Sequence, residues 1–494
     1  MSFFKILLLS LFSIYISDES TDKLIFVATH FRHGARAPQG YIDTVKRLDY
    51  TLESWDNPGE LTGMGKRMHY LLGLRNRERY INETFPNFLS SKFDPHEILI
   101  YSSSLNRTIL SVTAQLQGLF PTKEKLGETL DDEQQKGAKP RVNLSKEIED
   151  YAKNHLKDQA LPDYLTIAPV RMISPLEKKI IIYDIPQCLF RRDEFRKKNY
   201  ETLESLKKIV NQFNSEYKPK LESKYSQYMK DKEYDIHFVD YFCDGLIAGY
   251  TEGKPLHVLD NTEINKTKLY EFCVEFSTLN FRDWISGDKD RTLATLEVSK
   301  LMREFIHYMR ERVNIHKSGQ EKEVAENKKD YSKPKMMMIS GHDSTISTLE
   351  MFFTKIFQDN NAEKYYKYPY FATQVALEVV VNDSIPKDKL QDSDYKINYY
   401  FNDELIFTKN MEEFIKNVEP ALWTDEKIDQ FCNFTIPQTE TDPKKSVYFY
   451  LTIAFSITTG LLLIAMIIVI VKCRKKTSES IGNTGLLLKN YDSN

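Results

Sequence analysis

Three short apolar runs, each closed by a polar cluster and trailed by a segment of helical character, set the pattern of this chain. Leu24–Thr29 ends at His30–Arg36, Ile98–Tyr101 ends at Ser102–Ser104, and Lys335–Ile339 ends at Ser340–Asp343. Such runs are of strand length. The segments Gly63–Tyr80, Arg107–Leu119 and Ser344–Phe357 read as the helices that follow them. Strand, polar loop and helix in repetition predict an α/β fold: a mostly parallel sheet flanked by helices. Ligands in such sheets bind beyond the carboxyl ends of the strands, where the three polar clusters would converge. Between them, Arg191–Lys232 is dense in Lys, Glu and Tyr. Leu203, Leu206, Ile209, Val210 and Phe213 there fall on one helical stripe. We read residues of about 126–290 as a mostly helical insertion over a core at about 22–125 and 291–432, its charge runs being a solvated face. Segments 374–381 and 396–407 alternate like edge strands near the end of that core.

The ends carry a different pattern. Val447–Val471 runs without a charged residue, followed at once by Lys472, Arg474, Lys475 and Lys476. This length spans a bilayer with some tilt, and the heavier positive flank stays cytosolic. At the other end Met1–Lys5 precedes the apolar run Ile6–Ile16 and the acidic pair Asp18-Glu19. That run is too short to cross, so residues 1–17 read as a signal peptide rather than as a buried first strand or a signal anchor. The expected topology is single-pass type I: residues 18–446 lumenal or extracellular, 447–471 a transmembrane helix, 472–494 a cytoplasmic tail. Leu486–Leu488 or Tyr491 in the tail could be read by sorting adaptors, though the acidic and bulky partners of such signals are missing.

Composition narrows the class. The chain has 494 residues, 41% of them hydrophobic, with 68 basic against 71 acidic residues for a formal charge of −3. This excludes a disordered chain and the basic balance of a nucleic-acid binder. Cys188, Cys243, Cys273 and Cys432 lie in the ectodomain and allow three pairings in an oxidising compartment, while Cys473 sits just inside the membrane. Sequons at Asn82, Asn106, Asn143, Asn265, Asn382 and Asn433 suit a glycosylated domain.

The chemistry lies in the string Arg32-His33-Gly34-Ala35-Arg36-Ala37-Pro38. Arginine forks match phosphate oxygens and stay charged at any relevant pH. A neutral imidazole between them can attack phosphorus, because the guanidiniums neutralise the oxygens that would repel it. Gly34 would let the backbone approach closely and help orient the ring. Arg107 sits at the mouth of the second helix, and His342-Asp343 between the third strand and its helix. A histidine can donate to a phosphate oxygen, and a carboxylic acid can protonate a departing alkoxide. Taken singly, Arg107 reads as a surface ion pair and His342-Asp343 as a helix-capping pair. Three clusters at corresponding strand ends favour the joint reading.

In these motifs the chain resembles the histidine acid phosphatase family, the branch with R-H-G-x-R-x-P and a distal H-D. The resemblance covers most of residues 22–432. It extends to Leu61-Thr62-x-x-Gly65, Leu72–Arg77, Asn106-Arg107-Thr108, Gly118–Pro121 and Ile185-Pro186-x-Cys188. It implies a phosphoglycerate-mutase-like core with a helical cap, and hydrolysis of phosphate monoesters. By the same resemblance His33 is the nucleophile that becomes a phosphohistidine, Arg32, Arg36, Arg107 and His342 hold the phosphoryl group, and Asp343 is the acid and then the base. No metal or other cofactor is implied, since arginines supply the positive charge. Cys188 would pair with Cys432, which leaves Cys243 with Cys273.

The sequence departs from the family pattern at Tyr101-Ser102-Ser103, where an arginine usually precedes Ser-Thr, and at Asn106, where aspartate is commoner. A glycan on Asn106 would fill the pocket, so that sequon is expected to stay unmodified, with Asn82, Asn143, Asn265, Asn382 and Asn433 as acceptors. The implied partners are phosphomonoester substrates and the membrane, with no nucleic acid, and a homodimer is allowed without being specified. A phytase or inositol-polyphosphate phosphatase competes within the same chemistry and would need a broad basic pocket, which Lys and Arg in 190–232 could line. A surface binding module on a dead phosphatase fold competes from outside it. Gly63-Met64-Gly65-Lys66 lacks the first glycine of a P-loop, and no G-x-S-x-G or H-E-x-x-H occurs.

Overall fold

The computed structural model describes residues 22–432, apart from 40–54, 56, 139, 141, 143, 173–185, 201–202, 222–235, 255–258, 261, 286–289, 327–331 and 358–365. The expected signal peptide at 1–17, the expected span at 447–471 and tail at 472–494 with Cys473, and the sequons at Asn143 and Asn433 lie outside the described residues. The chain divides into two units, Met1–Asn433 and Phe434–Asn494, and everything below concerns the first.

Seven strands form one sheet in the order β3-β2-β4-β1-β5-β6-β7. They are β1 (Asp22–Arg32), β2 (Ile98–Ser102), β3 (Arg171–Met172), β4 (Met336–Gly341), β5 (Gln374–Asn382), β6 (Tyr395–Phe401) and β7 (Glu404–Asn410). The longer helices are α1 (Gly63–Arg77), α2 (Asn106–Leu119), α3 (Pro186–Tyr200), α4 (Glu204–Glu216), α5 (Ile236–Thr251), α6 (Lys266–Leu279), α7 (Thr292–Ser318), α8 (Asp343–Phe357), α9 (Met411–Val418) and α10 (Asp425–Cys432). The three apolar runs are the strands β1, β2 and β4, and they lie side by side.

The sheet is mixed rather than mostly parallel. β1, β2, β3 and β4 run parallel, while β5, β6 and β7 pair antiparallel outward from β1. The apolar pattern cannot carry direction here, because β5 is buried on both faces and its run looks the same either way. β5 is also an inner strand and not an edge, and 396–407 is a hairpin whose turn at Asn402 has positive φ. Within 126–290 the described elements are helical except β3, which returns to the sheet edge beside β2.

Side chains of β1 pack into two cores, with a register shift between Leu24 and Phe26 that puts Ile25 and Phe26 in the same one. Ile25, Phe26 and Ala28 pack with residues of α7, α8 and α9, while Leu24, Val27 and Phe31 pack with residues of α1 and α2. The helices α4, α5 and α6 bury their own core around Phe213, Phe242, Phe272 and Phe276, with Tyr368 at its margin. The stripe read from Leu206, Ile209, Val210 and Phe213 is the buried face of α4. Disulfides join Cys188 to Cys432 and Cys243 to Cys273, tying α3 to α10 and α5 to α6.

α1 and α2 touch backbone to backbone. A Cβ on Gly73 would lie 1.9 Å from the Gln115 carbonyl oxygen, and one on Gly118 would lie 2.0 Å from that of Tyr70. No side chain fits either gap, so both glycines are steric requirements.

Candidate active site

The site is built at the carboxyl ends of β1, β2 and β4, which the pairing holds level: Arg32 faces Gly341, and Ser102 faces Ser340. Backbone bonds extend this register past the strands. His33 N–H donates to the Gly341 carbonyl at 3.0 Å, Ser103 N–H to that of Ser340 at 3.1 Å, and Arg32 N–H to that of Thr373 at 2.9 Å. Hence all six residues singled out in the sequence arrive at one place: Arg32, His33 and Arg36 after β1, Arg107 in the first turn of α2, His342 after β4, and Asp343 at the start of α8.

His33 is buried, and its Nδ1–H donates to the Gly34 carbonyl at 2.9 Å. A carbonyl only accepts, so the ring proton is on Nδ1 and the lone pair is on Nε2. Gly34 lies flat against Gly65, where a Cβ would come within 2.4 Å of the Gly65 carbonyl, and its N–H donates to Ser111 Oγ at 3.1 Å. The glycine is therefore both the close approach and the acceptor that sets the tautomer. Burial, then the charges of Arg36 and Arg32, hold the imidazole well below its ordinary pKa of 6.5. The ring stays neutral in acid.

The guanidiniums are held by their outer nitrogens. Arg32 donates from Nη1 to the Pro369 carbonyl at 2.7 Å, pairs through Nη2 with Asp343 at 2.7 Å, and has the Phe371 ring 4.3 Å away. Arg36 donates from Nη1 to the Ala37 carbonyl and grips Asp244 with both Nη atoms. Arg107 has no ion-pair partner among the described residues, and burial together with Arg36 lowers its pKa to about 10. The Nε–H of Arg32, of Arg36 and of Arg107 is buried without an acceptor. Each orphaned donor costs on the order of 1–3 kcal/mol unless a ligand satisfies it. Three cationic donors left open beside one neutral imidazole make a receptor for an oxyanion.

His342 is buried and neutral, lowered to about 3 by burial and Arg107, with its ring 5.6 Å from that of His33. Its Nε2 is 3.0 Å from Ser103 Oγ, which is 2.8 Å from Thr108 Oγ1. Asp343 opens α8: its Oδ1 accepts from the Ser344 N–H at 2.8 Å, and its Oδ2 faces Arg32. Asn106 is exposed and donates to Glu60 at 3.2 Å.

Several contributors escaped the sequence reading. Asp244 and Asp240 lie one turn apart on α5, a helix otherwise free of Lys, Arg and Glu, and that isolation was the available signal. Asp240 accepts from Asn280 Nδ2 at 2.9 Å; burial, then Asp244 and Asp343, raise its pKa to about 7. The aromatic stretch Tyr366–Phe371 before β5 supplies the wall against Arg32.

A family model described as "Histidine phosphatase superfamily (branch 2)" matches residues 23–402. Prostatic acid phosphatase of Mus musculus is 25% identical over 353 residues, covering 69% of this chain and 73% of that protein. Two further curated relatives match over shorter stretches: putative acid phosphatase 10 of Caenorhabditis elegans is 37% identical over 23% of this chain and 28% of its own length. Lysosomal acid phosphatase of Xenopus laevis is 35% identical over 20% of this chain and 21% of its own length. Among solved structures, a phytase from Klebsiella sp. ASR1 superposes with a TM-score of 0.50 at 11% identity, over 85% of this chain and 98% of that one. That likeness is one of fold.

Proposed function

The chain belongs to the histidine phosphatase superfamily, branch 2, and is an acid phosphatase by family, and we propose that it cleaves phosphomonoesters in two in-line steps on His33. The observation that carries the proposal is the set of three buried, unsatisfied guanidinium Nε–H groups around a neutral imidazole whose Nε2 lone pair is free.

In the first step His33 Nε2 forms a bond to phosphorus while the ester P–O bond breaks. The developing equatorial charge falls on Arg32, Arg36 and Arg107. Asp343 delivers a proton to the departing alkoxide. In the second step water attacks the phosphohistidine, Asp343 takes its proton, and the N–P bond breaks to release phosphate. His33 needs no proton on Nε2 at any point, and the Nδ1–H bond to Gly34 keeps the ring in that tautomer. Acid operation follows from two facts: the nucleophile stays neutral at low pH. A phosphomonoester below its second ionisation, near pKa 6, also brings a proton for Asp343 to pass on.

We place the catalytic domain on the lumenal or extracellular side of a membrane, in a lysosome-like compartment or at the cell surface. The leader-like residues 1–17 and the apolar segment 447–471 support this reading. The sequons at Asn82 and Asn265, both exposed, are consistent with it.

The test is phosphate release from a chromogenic monoester between roughly pH 4 and 8, with and without chelator, by wild type and His33→Ala. Acid-favoured, chelator-resistant turnover that His33→Ala abolishes is expected. A folded wild-type protein with no turnover would overturn the proposal.

A further inference from the structure

The helical cap reaches the phosphate pocket through Asp244 of α5. Asp244 Oδ1 accepts from Arg36 Nη2 at 2.6 Å, and Oδ2 accepts from Arg36 Nη1 and from the Gln39 N–H, each at 3.2 Å. Its carboxyl is held below its ordinary range, burial being outweighed by Arg36. A bidentate carboxylate on both Nη atoms fixes the plane of the guanidinium and leaves Nε–H as its open donor.

The same contact cancels charge. Arg32 is matched by Asp343 and Arg36 by Asp244, and Arg107, which has no ion-pair partner among the described residues, is left to meet the first phosphoryl group. One phosphoryl group can still displace Asp343 from Arg32 and take the three Nε–H donors. A second phosphate on the same substrate meets no surplus cation among these residues. Of the basic residues in 190–232, Arg191 pairs with Glu194, and Arg192 is buried against Glu297 of α7.

Building on the acid phosphatase reading, we propose that Asp244 is a specificity-determining residue. It aligns Arg36 for a single phosphoryl group, and its charge selects phosphomonoesters with a neutral or cationic alcohol against those carrying a further phosphate. The substrate class is thus simple monophosphates rather than inositol polyphosphates or sugar bisphosphates.

The experiment measures kcat/KM of the full chain at one acid pH for phosphoethanolamine, glycerol 2-phosphate and fructose 1,6-bisphosphate. Wild type, Asp244→Asn and Asp244→Glu are compared. Wild type is expected to disfavour the bisphosphate by about tenfold or more against glycerol 2-phosphate, a carboxylate's effect across a few ångströms of partly wet protein. Asp244→Asn should narrow that ratio to about twofold while Asp244→Glu keeps it. The ratio is independent of how much of a variant is folded. An unchanged ratio in Asp244→Asn, or no discrimination by wild type, overturns the proposal while leaving the phosphatase reading intact. Should Asp244→Asn fail to fold, the wild-type ranking decides: a gap that shrinks with added salt supports it, and equal turnover overturns it. A wild type silent on glycerol 2-phosphate would instead sink the phosphatase reading and this proposal with it.

Discussion

His342 Nε2 lies 3.0 Å from Ser103 Oγ, which in turn lies 2.8 Å from Thr108 Oγ1. The Thr108 hydroxyl also reaches the Leu105 carbonyl at 2.8 Å and that of Ser103 at 3.1 Å. A chain of hydroxyls holds the second histidine of the site where the sequence lacks the arginine usual before Ser-Thr.

Ser103→Ala should free that ring. Losing one buried hydrogen bond costs about 0.5–1.5 kcal/mol, which corresponds to a fall of about 2–13-fold in kcat/KM. Ser103→Thr keeps the hydroxyl and should restore the rate. Steady-state kinetics on one monoester decide it. An alanine variant with wild-type kcat/KM would mean the chain does not position His342.

Much of this site was legible because its residues cluster in sequence at strand ends. Arg32, His33 and Arg36 fall within five positions, and strands buried on both faces announce themselves as apolar runs. What the sequence hid is contact at a distance. Asp244 meets Arg36 across 208 positions, and no local pattern pairs them. Strand direction was hidden for the same reason, since β5 pairs antiparallel with β1 while presenting the run of a central parallel strand. The turn between β6 and β7 did carry a signal in Asn402-Asp403, an Asx pair suited to positive φ, but the alternation on either side masked it.

Gly73→Ala should unfold the protein or come close to it. The added methyl would sit 1.9 Å from the Gln115 carbonyl oxygen, backbone that cannot step aside without parting α1 from α2. Those helices carry Arg107 and the Gly65 against which Gly34 rests. Overpacking of this kind costs about 1–3 kcal/mol where side chains can give, and more where they cannot. Chemical denaturation at neutral pH should show a lowered midpoint and activity falling with the folded fraction. Stability equal to wild type would refute the close contact.

Acid stability should be limited by buried histidines, and His30 isolates the effect because it takes no part in the chemistry. Burial lowers its pKa to about 3, and its Nε2 has no partner. In the unfolded chain the ring titrates near 6.5. Between those values the unfolded state binds the extra proton, so stability is present above the unfolded value and is lost as pH falls towards 3, at up to about 1.4 kcal/mol per unit. His30→Leu removes that dependence. Urea unfolding at pH 7 and near pH 4.5 should show the variant gaining about 2–3 kcal/mol on wild type between the two. A gap that does not change with pH would place the sensitivity elsewhere.

Asp240 works with the opposite sign. Its folded value of about 7 lies above the ordinary 3.8, so the native state holds the extra proton between them, and that stabilisation fades as pH rises through 7. The proton also matters to binding. Asp240 faces Asp244, Asp343 and Arg36. Once ionised it adds a negative charge beside the two carboxylates that an incoming phosphate must already tolerate. Asp240→Asn keeps the Asn280 contact possible and removes the titration. The substrate's own ionisation near 6 affects both proteins alike, so it cancels when kcat/KM of the variant is divided by that of wild type. This ratio should be near its minimum at pH 5 and rise by about tenfold towards pH 8, the size expected for a unit charge acting over a few ångströms of protein. A ratio flat with pH would mean that Asp240 carries no proton the active site can feel.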